Sequence, residues 1–162
     1  MDLLAVIGLE TTQTPLHVIL IRLLIASGLG AIIGFERGSK TGTAGLRTHI
    51  LIALAAALFT TLAFEIFHLA LEGGSQNPDP IRSIEAVTAG IAFLGAGAIF
   101  QQRGNVQGLT TGAGMWLAGA VGVASACGYY IIAVAAAVLA VLVLAAMQRF
   151  SHQLVAKNGD DT

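Results

Sequence analysis

The fold class this sequence predicts is all-α: a polytopic membrane helix bundle with five transmembrane helices. Three observations predict it. Hydrophobic residues fill 56% of the 162 positions and charged residues only 10%, which leaves too little polar surface for a water-facing shell. The apolar residues come in long unbroken runs with no alternation at period two, which selects helices over strands. Six of the eight Lys and Arg residues fall on one side, on two connecting loops and the tail. In lipid, only helices and closed barrels satisfy every backbone polar group, and the runs here are helical in length.

Five runs reach a bilayer-crossing length of roughly 20 apolar residues. They are Pro15–Gly34, His49–Leu71, Ser83–Phe100, Leu109–Cys127 and Tyr129–Met147. The first ends in GLGAIIGFERG, and GLRTHILIALAAALF starts the second. Asn77–Pro80, reading NPDP, is a strong breaker ahead of the third. Gly108-Leu-Thr-Thr opens the fourth, with hydroxyls able to cap bare amides. A tight turn near Cys127–Gly128 leads into the fifth. The expected organisation is one transmembrane domain over residues 1–150 and a cytoplasmic tail, 151–162, too short to fold alone. The N-terminal segment MDLLAVIGLETTQT lacks basic residues and no A-x-A cleavage site follows, so no removable signal peptide is expected.

Orientation follows from charge. Arg37, Lys40 and Arg47 lie on the first loop, Arg103 on the third, and Arg149 and Lys157 on the tail: six of the eight basic residues on one side. Basic residues collect on cytoplasmic loops, so the N-terminus is expected outside and the C-terminus inside. The opposite side carries Asp2, Glu10, Glu72 and Asp79, with Arg82 beside them. The net charge of -1 says nothing about partners, and no nucleic-acid partner is expected. The single cysteine, Cys127, excludes an intrachain disulfide and supplies no metal or redox spacing. No metal and no cofactor is expected.

The first and third helices each descend through glycines to Arg-Gly, a short polar loop, and then Gly-Leu-x-Thr starting an outgoing helix. Helices one–two and three–four thus read as a duplicated hairpin in one orientation, with an axis along the membrane normal. The fifth has no counterpart. The twenty glycines point to close helix contact. Gly30 and Gly34 form a GxxxG motif, and Ala118, Gly122 and Ala126 repeat the interval. These faces serve either packing within the chain or a homo-oligomer seam. GLGAIIG also looks like a dinucleotide loop, but its third glycine is one place late and it lies inside a spanning helix, so that reading is rejected.

Ionisable groups inside spanning helices are functional candidates by default. Arg22, Glu65 and Glu85 fall in the outer halves of consecutive helices, and His68 follows Glu65 on nearly the same face. Arg22 is expected to pair with Glu65, Glu85 or both, because paired charges cost less in lipid than single ones. The pair is either a structural register pin or a cation or proton site. At the cytoplasmic rim, Glu36, Arg37, Lys40, Arg47, Thr48, His49, Arg103, Thr110 and Thr111 gather near two helix N-termini, which suit anions. That set is either a phosphate or headgroup pocket or ordinary capping with positive-inside charge. Trp116 is expected to pack. No catalytic set is present: no Walker loop, no His-Glu-x-x-His and no nucleophile elbow.

The segments GFERG, AGLRTHILIALAAALF, TAGIAFLGAGAIF and VQGLTTGAGMWLAGAVGVASACGYY resemble the signature stretches of the MgtC/SapB membrane proteins, from about Arg22 to Ala146. The resemblance implies a five-span bacterial inner-membrane protein tied to growth at low magnesium and to virulence. It implies a non-enzymatic regulator in contact with other membrane complexes, ATP synthase among them, rather than a magnesium pump. Carried over by motif, the positions of interest are Glu36, Arg37, Arg47, Thr48, His49, Glu85, Gly95, Gly97, Gly108, Thr110, Thr111 and Trp116. Many members add a soluble ACT-like C-terminal domain, and this sequence stops soon after its fifth helix. The alternative function is a small cation or proton transporter or channel using the intramembrane Arg and Glu residues.

Overall fold

The computed structural model describes residues 12–38, 44–75, 79–102 and 105–159. Each of the five apolar runs is a helix: α1 (Leu16–Gly38), α2 (Leu46–Glu72), α3 (Ile81–Gly97), α4 (Leu109–Ala126) and α5 (Tyr130–Gly159). Two short strands, β1 (Phe100–Gln102) and β2 (Asn105–Gln107), join α3 to α4. The upper end of the bundle carries the start of α1, the end of α2 and the α4–α5 turn. The lower end carries the α1–α2 and α3–α4 connections.

Local chemistry explains most boundaries. Asp79 starts α3 by accepting the Ile81 N–H at 2.9 Å, behind Pro80 as the cap residue. The α4–α5 turn is a left-handed glycine cap: Gly128 has φ +81°, its N–H donates to Ser125 O, and Tyr129 N–H donates to Ala124 O. At the lower end, α3 stops three residues short of the expected Phe100. Phe100 pairs instead with Gln107 in an antiparallel hairpin, where a polar loop was expected. The hairpin's base is pinched because Gly108, at φ +85°, lies directly against the Ala98 carbonyl. The cap residues of the outgoing helices α2 and α4 are glycines, Gly45 and Gly108, and Thr110 is exposed.

Among the described residues three helices, α1, α2 and α4, are long and apolar enough to cross a membrane. They form the centre. Ala26, Ala57 and Ala126, one from each, meet in a cluster of fully buried alanines. Helix α5 closes one side through Ala133 and Ala137 against Leu29, Ile33 and Val121. Helix α3 leans on α4 through Ile91, in a core with Ile52, Ala53, Met115 and Ala118. The buried hydroxyls of Thr60, Thr61 and Ser125 donate to carbonyls one turn back on their own helices, at 2.7–2.9 Å, so they need no partner across the bundle. Large side chains face outward. Leu24 is 71% exposed, Phe93 80% and Ile131 87%, a surface that water would not tolerate and a membrane supplies with its natural solvent.

Candidate functional site

The centre of the bundle is a seam of backbone contacts. A Cβ placed on Gly30 would sit 2.7 Å from the His49 carbonyl oxygen and 2.8 Å from Ala53 Cβ, and one on Gly34 2.9 Å from His49 Cβ and from Leu46 Cα. The GxxxG motif therefore serves packing inside the chain, α1 on α2. His49 is the side chain it packs on. It is completely buried, and its Nδ1–H donates to the Gly45 carbonyl at 2.9 Å. Gly122 meets Ala53 on the other side of α2, backbone to backbone. In the second hairpin, Gly112 meets Gly95, and Gly119 accommodates the tip of Ile91. His49 and Gly112 are the fourth residues after Gly45 and Gly108 respectively, so the two contacts fall at the same place on the outgoing helices.

That seam decides where the charged residues fall. Gly34 lies on His49, Gly30 on Ala53 and Ala26 on Ala57, a register stepping four residues at a time. Carried upward, it sets Arg22 opposite Thr61, and Glu65 a turn higher, about 6 Å further on. The expected Arg22 pairing with Glu65 or Glu85 does not form. Among the described residues the ion pair found is Arg82 with Asp79 at 4.0 Å, both exposed. Places in the outer halves of consecutive helices do not bring the two together, because α2 projects beyond α1 at the upper end. Glu65 instead accepts the backbone N–H groups of Gln13 and Thr14 at 2.6 and 3.0 Å, ahead of the first turn of α1. The Gln13 side-chain amide donates to Glu72 at 2.7 Å, so α2 ties down the approach to α1 at two carboxylates. Glu85 is exposed on α3, and His68 is exposed, with its ring edge-on to Phe67 at 5.6 Å.

Arg22 turns to a different neighbour. Its Nη2 lies 3.3 Å from the position a Gly128 Cβ would take, which places the guanidinium at the C-terminal end of α4. That end carries partial negative charge, a substitute for a carboxylate. The Nε atom is buried with no hydrogen-bond partner. Burial pushes the Cys127 thiol above its ordinary pKa, and the Arg22 charge pulls it part of the way back. The three-membered polar centre is thus replaced by two separate arrangements, a carboxylate on amides and a guanidinium on a helix end.

At the lower end the predicted rim divides. His49 and Thr111 belong to the packed interior, at 0% and 4% exposure, so neither belongs to an open anion pocket. Arg47 and Thr110 are exposed, and Glu36 and Thr48 half-buried. Arg103 and Lys40 lie outside the described residues, as does the side chain of Arg37. Two packing assignments fail. Gly97 is exposed with nothing within 4 Å of its Cβ position, and Trp116 is 50% exposed on the outer face of α4. Gly95 and Gly122 do pack. Among the described residues no three His, Cys, Asp or Glu side chains gather as a metal site would need. Sequence reasoning missed Gln13, Thr14, Gly119 and the Gly128 contact. The last had a signal, since a glycine just past an apolar run marks a helix cap.

The glycine seam, the buried histidine and the pinched hairpin lie within the stretch that the MgtC family profile matches, residues 23–153. The chain belongs to the MgtC family. It is 35% identical over 139 residues to the "Putative magnesium transporter YhiD" of Escherichia coli (strain K12), covering 86% of this chain and 65% of that protein. It is 44% identical over 95 residues to Protein MgtC of Brucella abortus (strain 2308), covering 59% of this chain and 37% of that one. It is 35% identical over 146 residues to Protein MgtC of Salmonella typhimurium (strain 14028s / SGSC 2262), covering 87% and 59%. The chain thus spans less than two thirds of the length of these MgtC-family relatives. No solved structure matches it. The apolar exterior and MgtC membership together make this a membrane protein.

Proposed function

We propose that this MgtC-family chain is a non-enzymatic regulator in the bacterial inner membrane, acting by contact with other membrane complexes under magnesium limitation. One observation carries the reading. The bundle axis is filled by Gly and Ala contacts, as at Ala26–Ala57–Ala126 and Gly122–Ala53, while the large side chains face outward. A molecule built this way presents its chemistry on its outer faces, as a docking protein does. ATP synthase is a candidate partner of the right kind, and a role in virulence follows from the same reading. A homo-oligomer would have to use these outer faces, since the GxxxG seam is occupied within the chain.

In this reading all five helices cross the membrane, with the basic lower end cytoplasmic. Helix α3 has 17 residues, about 25 Å at 1.5 Å per residue, against a hydrocarbon core of about 30 Å. Helix α3 therefore crosses where the bilayer thins or with its ends at the interface. Reporter fusions after Glu36, Gly74, Gln102, Gly128 and Thr162 test this; an α3 that does not reverse the side would sink it.

The name of the Escherichia coli relative favours a second reading, transport of a cation. Arg22, Glu65 and Glu85 do not assemble into one site, which weighs against a pathway through them. Proteoliposomes holding the pure protein decide between the two. The regulator reading expects no magnesium or proton flux above empty vesicles. Flux that disappears in Glu65→Gln or Arg22→Ala would overturn it.

A further inference from the structure

Helix α3 leans toward α4, through Gly95 on Gly112 and Ile91 on Gly119, and so parts from α2. Between α2 and α3 this leaves a groove of about 640 Å³, within the size range of ligand pockets. Its floor is Ile52, Ala56 and Met115, and its walls are Leu51 and Phe59 on α2 and Leu94 on α3. Thr48, at the lower end, is the one lining residue with a polar side chain. Gly90 also lines the groove, with nothing within 4 Å of its Cβ position. Arg47 is exposed and stands four residues before Leu51, on the same face of α2 one turn below the groove.

Length selects the occupant. Along α2 the lining runs from Thr48 to Phe59, about 16 Å at the helical rise. Along α3 it runs from Ala86 to Leu94, about 12 Å. A hydrocarbon core is about 30 Å thick, so the groove is one leaflet deep. A transmembrane helix of a partner or of a second copy would need a groove twice as long. An acyl chain of one leaflet needs this one, and its phosphate would then reach the depth of Arg47.

We propose that the α2–α3 groove is a phospholipid site, taking one acyl chain from the leaflet at the lower end and setting the anionic headgroup beside Arg47. Annular lipids slide along a convex surface. This chain would have protein on three sides and would exchange more slowly.

Native mass spectrometry of the full chain, extracted in mild detergent and titrated with phosphatidylglycerol or phosphatidylcholine, tests the site. The expected result is one saturable lipid per chain, with phosphatidylglycerol preferred. Gly90→Phe, whose Cβ would meet nothing within 4 Å, puts a ring into the groove and should lower retention about tenfold, and Ala86→Leu should act in the same direction. Arg47→Ala should remove the headgroup preference and leave one lipid bound. In the wild-type protein, lysophosphatidylglycerol should compete for the site and glycerol phosphate should not. Three results overturn the proposal. They are lipid that accumulates without saturating, as an annulus does; displacement by glycerol phosphate, which places the site at the headgroup alone; and a dimer that Gly90→Phe splits, which places a second copy in the groove. Circular dichroism confirms that each variant is folded, and the wild-type competition stands without any variant.

Discussion

Gly30→Ala is the sharpest test of the seam that organises the bundle. The new methyl would meet the His49 carbonyl at 2.7 Å and Ala53 Cβ at 2.8 Å, where ordinary contact begins at 3.4 Å. Helix α1 must therefore retreat from α2 by roughly 0.7 Å, the difference between 3.4 and 2.7 Å. A gap of that size forfeits a quarter to a half of each neighbouring dispersion contact. Overpacking of this kind costs about 1–3 kcal/mol. Alanine returns at most about 1 kcal/mol of helix propensity, and less where the unfolded state in detergent stays helical. The net expectation is a loss of about 1–2 kcal/mol. Gly28→Ala, two residues away on the same helix, is the control. Nothing lies within 4 Å of its Cβ position, so it should be neutral or gain up to about 1 kcal/mol. Reversible unfolding of both variants in mixed micelles, followed by circular dichroism, gives the comparison. If Gly30→Ala proved as stable as Gly28→Ala, the α1–α2 contact described above would be wrong.

Other consequences are equally open to measurement. Gly108→Ala combines a left-handed backbone, φ +85°, with a methyl driven into the Ala98 carbonyl. It should cost at least about 2 kcal/mol, and a melting point equal to wild type would remove the pinched hairpin base. Glu65→Gln keeps the side chain's shape but removes the charge that holds the Gln13 and Thr14 amides. Hydrogen exchange at those two amides should speed up severalfold, with global unfolding little changed; unchanged exchange would refute the tie. Arg22→Gln removes the cation that favours the Cys127 thiolate, while the burial that disfavours it stays. The midpoint of the pH dependence of maleimide labelling should therefore move upward, and a midpoint that stayed or fell would place Arg22 elsewhere.

That the described residues form an all-helical bundle, with a helix on each apolar run, was legible in composition and run length alone. A backbone in lipid has few ways to satisfy itself, so five long apolar runs leave little freedom. Punctuation was partly legible as well. Pro80 and Gly128 mark helix ends in the structure as their chemistry requires. The hairpin between α3 and α4 was not legible. Three residues per strand carry no readable period, and the pairing of Phe100 with Gln107 exists because Gly108 lets the chain close on Ala98.

The charged residues mark the boundary between the two kinds of knowledge. That Arg22, Glu65 and His49 stand in apolar helices is a fact of the chain, and so is their distance along each helix. Which of them meet depends on how far one helix slides past another. Here that sliding is set by glycine contacts at Gly30 and Gly34, a GxxxG pair that spacing reveals without revealing which residues it packs on. The slide lifts Glu65 a turn above Arg22, hands the carboxylate to Gln13 and Thr14, and turns the guanidinium toward Gly128. One-dimensional spacing carries depth within a single helix; the offset between helices arises from three-dimensional packing.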